Sequence, residues 1–155
     1  ISAMVGQGSV NHNSRKFHAK NTDPERSCLN VEYCNENVKD VYHELFDEAL
    51  ERYNAKQIRS DRKIKDYYEK IRSSKQEKPF HEIILQVGGK GNMNADTENG
   101  ELAKQILDEY YQGFQERNPQ LRVFSAHLHM DEATPHLHID FVPFTTGSKR
   151  GLECH

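Results

Sequence analysis

Residues 122–144, RVFSAHLHMDEATPHLHIDFVPF, alternate so regularly that few folds remain open to them. Two His-Leu-His triplets, His127/His129 and His136/His138, flank the acidic turn Asp131-Glu132. Successive side chains of a strand point to opposite faces. The spacing therefore predicts strands over 122–130 and 136–144, joined by Asp-Glu-Ala-Thr-Pro. Val123, Ser125, His127 and His129 are expected on one face, with Phe124, Ala126, Leu128 and Met130 on the other. In the second strand, His136, His138, Asp140 and Val142 oppose Leu137, Ile139 and Phe141. The apolar faces are expected to pack under helices, and the histidine faces to look outward into a cleft.

Two imidazoles in a His-x-His strand segment lie ~7 Å apart at Cβ and can converge on one ion. A third from the adjacent strand completes a facial set that leaves coordination positions open for substrate. Register decides whether this happens: His129 must stand opposite His136 or His138, because a slip of one residue turns it to the wrong side. The expected ligands are His129, His136 and His138, with His127 as the spare. One such triplet alone is more often a pair of exposed strand residues; two around a tight acidic turn favour metal. Glu132 reads equally as a solvated turn residue or as a partner and proton acceptor beside the metal. Asp140 is a weaker candidate for orienting a ligand imidazole.

The rest of the chain supplies layers for these strands. Residues 1–10 read as a strand running into a turn, 11–30 as an ordered polar loop, and 29–34 as a second short strand. Val38, Val41, Tyr42, Leu45, Phe46, Ala49, Leu50 and Tyr53 recur at helical spacing behind Asn37, a suitable N-cap. A weaker helix is expected over roughly 61–75, and a buried strand over 80–89. A further helix carries Leu102 to Phe114 and ends near Asn118-Pro119. This order implies an α+β fold: an antiparallel sheet with helices on one face, in a single domain of 155 residues.

No apolar run approaches the ~20 residues of a membrane span, and a signal peptide is not expected from the opening residues. Three cysteines without a pairing pattern suggest a reducing, cytoplasmic setting. A net charge of -3 argues mildly against a generic polyanion binder. Charge is uneven, however. Residues 59–78 carry eight Lys/Arg against four Asp/Glu, which suits either a DNA-facing surface or a solvated helix face.

HMDEATPHLHIDFVPF resembles the metal-binding motif of plasmid mobilisation relaxases of the Pre/Mob type, the plasmid recombination enzymes. These belong to the HUH endonuclease superfamily, named for a histidine–hydrophobic–histidine motif that His136-Leu137-His138 matches. Independently, NHNSRKFHAKNTDPERSCLNVEY (11–33) resembles that family's His-Asn-x-Arg loop and the Asn/Asp-Pro-x-Arg-Ser segment after it. The resemblance covers nearly the whole chain. It implies an enzyme that nicks one strand of plasmid DNA at the transfer origin and stays attached to the 5′ phosphate. It assigns His12 as nucleophile, His129, His136 and His138 as metal ligands, and Glu132 as the acid beside them. Arg15 would contact the scissile phosphate or its neighbours, with Lys16 beside it, and Arg26 and Asn30 would support the loop. Lys149 and Arg150, just past the last strand, are candidate backbone contacts. Relatives continue past this point, so the chain is expected to be a relaxase domain shortened at its C-terminus.

The residues themselves leave His12 open to a blander reading, a loop histidine that binds phosphate or caps a turn. His18 is a backup, and Tyr33 is the best tyrosine rival, being outside the helices. Three neutral imidazoles favour softer ions, which places Mn2+ ahead of Mg2+. The expected partner is single-stranded or hairpin origin DNA, with conjugation machinery as a possible second. Two rivals stand: a metal-dependent phosphodiesterase that activates water through Glu132, and a DNA-binding module whose metal only staples the hairpin.

Overall fold

The computed structural model describes residues 1–6, 8, 13–14, 29–88 and 98–145. Five strands form one antiparallel sheet: β1 (Ser2–Val5), β2 (Val31–Asn35), β3 (His81–Gln86), β4 (Leu121–His129) and β5 (His136–Pro143). Their order is β1-β3-β5-β4-β2, so the second histidine strand is central and its partner adjoins it. Among the described residues the main helices are α1 (Val38–Ala55), α2 (Tyr67–Ser73), α3 (Glu98–Gln112) and α4 (Phe114–Arg117).

Local chemistry explains the helix limits. The Asn37 side chain accepts a hydrogen bond from Lys39 N, capping α1 where the sequence placed its start. Asp66 does the same for α2 through Glu69 N. The helix expected over 61–75 is therefore shorter than its hydrophobic pattern suggested. Ser60–Arg62 forms a single 3-10 turn instead, and Asp66 starts the helix proper.

Two apolar clusters hold the layers together. Ala103, Leu107 and Phe114 pack on Leu85, Val123, Ala126, Leu128, Leu137, Ile139 and Phe141. These side chains are nearly all fully buried, each worth roughly 1.5–3 kcal/mol for the larger aliphatics. The second cluster joins Val41, Tyr42, Phe46, Tyr67 and Ile71 to Phe124 and Val142. The α+β class and antiparallel sheet are as expected, but the helices are divided between the two faces. α3 and α4 cover one, while α1 and α2 sit on one end of the other.

A β-bulge causes this division. The β4–β5 register shifts between Val123 and Ser125, so Val123 opposes Phe141 while Ser125 opposes Asp140. A bulge inserts one extra residue and reverses the alternation beyond it. Val123, expected beside the histidines, instead faces α3 and α4. Phe124, expected on that side, joins Val142 on the histidine face and offers α1 and α2 a foothold. α1 and α2 thus occupy the Phe124 end of that face and leave its other end to the histidines.

The core assignment is testable. Leu107→Ala should lower unfolding free energy by about 2–5 kcal/mol in denaturant titration. Ile58→Ala, at a fully exposed position, should change it by less than about 0.5 kcal/mol. Similar losses for both would contradict the packing described.

Candidate active site

The β4–β5 register satisfies the condition that the sequence left open. His129 stands opposite His136, and His127 opposite His138. All four imidazoles therefore share one face. Ring centroids of His129 and His138 lie 4.5 Å apart, and those of His136 and His138 6.5 Å apart. His138 is thus the middle member of the trio. His127 lies 6.2 Å from His129, further from the turn, with its Nε2 3.2 Å from Ser125 Oγ.

These rings do not line an open cleft. His129 is 0% exposed, His127 4% and His138 7%. Asn13 covers them from the N-terminal segment: His129 Nε2 donates to its main-chain carbonyl oxygen at 2.7 Å. His136 Nε2 donates to Gln86 Oε1 at 2.9 Å. Neither ring nitrogen of His138 has a hydrogen-bond partner among the described residues. Among those residues, no three His, Cys, Asp or Glu side chains are gathered as a finished ligand set. His129 Nε2 thus meets a carbonyl oxygen and His136 Nε2 an amide oxygen.

The acidic turn is also buried, which removes the solvated reading of Glu132. Asp131 is fully buried and Glu132 is 8% exposed. The Glu132 carboxylate lies 3.2 Å from His136 Nδ1 and 3.9 Å from His129 Nδ1. It stands between two of the three rings, as a group that orients imidazoles must. Asn30 anchors the strand end behind them, its side-chain oxygen accepting from Met130 N at 2.6 Å.

Three participants escaped the sequence reading. Glu82 and Gln86 share the histidine side of β3, Glu82 standing opposite Asp140 and Ile84 opposite His138. Asn13 Nδ2 donates to Glu82 Oε2 at 2.5 Å and to Asp140 Oδ2 at 3.3 Å. Glu82 Oε1 lies 3.6 Å from His138 Nδ1. Burial pushes the Asp140 carboxyl well above its usual range, and the neighbouring Glu82 charge adds to this. Burial acts the same way on Glu82, but the nearby His138 imidazole and hydrogen bonds from Asp140 and Asn13 outweigh it and hold that carboxyl low. Adjacent buried carboxylates resist joint ionisation, which is the cause of the opposite shifts. Asp140 is turned toward Glu82 and Asn13, the company it keeps in place of the ligand imidazole expected for it. The signal for Glu82 and Gln86 was present: polar residues at an even spacing around the apolar run Ile83-Ile84-Leu85.

Tyr33 is withdrawn as a rival nucleophile. It packs with the α3 cluster on the opposite face, stacked on Tyr111 at 4.1 Å. Its hydroxyl donates to Asp108 at 2.5 Å, and burial with that carboxylate raises its pKa far above the ordinary phenol range. His12, Arg15, Lys16, His18, Arg26, Lys149 and Arg150 lie outside the described residues. In the basic stretch, Arg59 pairs with Asp61 and Arg72 with Glu69, each at 2.8 Å and each exposed.

An antiparallel five-stranded sheet with helices on both sides and imidazoles on a central strand pair is a relaxase-domain fold. The chain is similar to the relaxase domain of MobM (MOBV; Mob_Pre), solved in Mn-bound form with 22 nucleotides of plasmid pMV158 oriT DNA. In the structures at pH 5.5 and pH 4.6 the identity is 23%, with TM-scores of 0.54 and 0.55. Each match covers 95% of this chain and 72% of that one, and at such identity the likeness is one of fold. A family model for plasmid recombination enzymes matches residues 5–151, and the chain belongs to that family. No curated protein is significantly similar to it. No helix among the described residues is long and apolar enough to cross a membrane.

Gly6 tests how firmly Glu82 is held. A Cβ there would overlap the Glu82 carboxylate oxygen and stand 2.7 Å from its carboxyl carbon. Glu82 is buried and bonded on several sides, so it cannot swing clear. Gly6→Ala should cost about 1–3 kcal/mol in thermal or denaturant unfolding. A wild-type midpoint would mean that the carboxylate is not fixed.

Proposed function

We propose that this chain is a relaxase domain that nicks one strand of transfer-origin DNA by transesterification and stays joined to the 5′ phosphate. One observation carries the reading. Strand register gathers His129, His136 and His138 on a buried face, with Glu132 among them, where Asn13, the residue after His12, is held. Family membership supports the reaction class. The similar MobM domain, bound to Mn and to oriT DNA, supports the metal and the partner.

The donor set fits a divalent ion. Three imidazoles suit Mn2+ better than Mg2+, and His138 carries two buried ring nitrogens without hydrogen bonds among the described residues. His129, His136 and His138 would hold the ion, which when bound neutralises and polarises the scissile phosphate. Glu132, 3.2 Å from His136 Nδ1, orients that ring. His12 is the nucleophile of this reading: a neutral imidazole, with an unperturbed pKa of ~6.5, attacks phosphorus near pH 7. A nitrogen–phosphorus bond forms and the bond to the 3′ oxygen breaks. The imidazole sheds its N–H proton, and the 3′ oxygen leaves as a hydroxyl. The phosphoramidate retains enough energy for the reverse, resealing step. Arg15, Lys16, Arg26, Lys149 and Arg150 would bind phosphates, a contribution that weakens with salt. Asn30 would act indirectly, through its hold on Met130.

The test uses labelled single-stranded oligonucleotides tiled across the transfer origin of the plasmid that encodes the chain, with Mn2+. A covalent protein–DNA adduct should form and should disappear in His12→Ala. Cut product without adduct would mean activated-water hydrolysis, and binding without cleavage would mean a DNA-binding module; either overturns the proposal. By calorimetry, His138→Ala should weaken Mn2+ binding by more than about tenfold, a loss of at least ~1.4 kcal/mol. His127→Ala should leave it within about threefold, under ~0.7 kcal/mol. Equal losses would displace His138 from the ligand set.

A further inference from the structure

We propose that Glu82 and Asp140 form a buried clasp whose task is to seat Asn13, and with it the chain at His12, against the imidazole cluster. The inference rests on the function just proposed, but its geometry is independent of it. Asn13 is 2% exposed although it lies in the N-terminal segment, far in sequence from Glu82, His129 and Asp140, which it touches. Its side-chain amide donates to Glu82 Oε2 at 2.5 Å and to Asp140 Oδ2 at 3.3 Å. Its main-chain carbonyl accepts from His129 Nε2 at 2.7 Å. One residue is therefore gripped at both ends, by β3 and β5 through its side chain and by β4 through its backbone.

The clasp is built for position. A single carboxyl can swing; two, opposed across neighbouring strands, cannot both move away from one amide. Gly6, just past β1, closes over Glu82, its N–H donating to the Glu82 main-chain oxygen at 3.0 Å with no room for a side chain. Glu82 also reaches His138 Nδ1 at 3.6 Å. The same carboxylate thus touches a proposed metal ligand and the residue next to the proposed nucleophile. Consecutive Cα atoms are 3.8 Å apart, so holding Asn13 restricts His12 to its immediate neighbourhood. A misplacement of ~1 Å costs on the order of 100-fold in rate, so such a restraint matters to a nucleophile. Asn13 and Glu82 are positioning residues in this account, since neither needs to touch the reacting phosphate.

Two readouts test it in the full chain. In backbone hydrogen exchange, the peptide spanning residues 11–16 should exchange faster in Asn13→Ala and in Glu82→Ala, whether or not the protein cleaves DNA. In single-turnover adduct formation, each variant should slow the chemical step by roughly 10–100-fold, with DNA dissociation constants within about threefold. The double variant should be no slower than the worse single, because both remove one linkage. Glu82→Gln, which keeps an acceptor oxygen for Asn13, should recover most of the rate. Unchanged exchange in both single variants, or a double-variant loss equal to the product of the single losses, would overturn the clasp. A wild type that forms no adduct would sink the relaxase reading, and the exchange experiment would still decide the clasp.

Discussion

The pairing of β4 with β5 is the constraint on which the site depends. Side chains repeat every second residue on a strand, so a shift by one would send His129 away from His138 and into the α3 core. What prevents the shift is apolar: Leu128 opposes Leu137 and Ala126 opposes Ile139, all fully buried beneath Leu107 and Ala103. The slipped register would trade those contacts for buried imidazoles against a helix. Hydrophobic burial on one face therefore fixes the chemistry on the other.

The bulge at Phe124 extends this division of labour. It lets one strand serve α3 and α4 with Val123, Ala126 and Leu128, and still donate Phe124 to α1 and α2. The histidine face is thus packed at one end and polar at the other. At the polar end, burial makes every group demand a partner. Asn13 and Gln86 meet it for His129 Nε2 and His136 Nε2, while both ring nitrogens of His138 are left without a hydrogen bond among the described residues. Such order would suit the proposed phosphoryl transfer, in which positioning and charge supply most of the rate.

Much of this was legible in the residues. His-Leu-His twice, around a short acidic turn, announced the strand pair and the shared imidazole face, and Asn37 announced α1. The bulge was not legible, because Val-Phe-Ser-Ala reads as continued alternation, and only competition between two helix layers for Val123 and Phe124 breaks it. The split of the helices between faces followed from that hidden residue. Glu132 read equally as a solvated turn carboxylate or as a partner of the imidazoles, and its burial, which decides between them, depends on the fold around it. Glu82 and Asn13 are 69 residues apart, and no local pattern reveals a bond of that span. Asp66, by contrast, was a readable N-cap that shortens α2, and the hydrophobic period of 61–75 masked it.

The central claim is that imidazoles from two neighbouring strands serve one divalent cation. Anomalous diffraction at the manganese edge, from crystals of the chain grown with Mn2+, tests it most directly. The account predicts a single strong peak within coordination distance of His129, His136 and His138, and beyond reach of His127. A peak held by other residues, or by only one of the three rings, would contradict it.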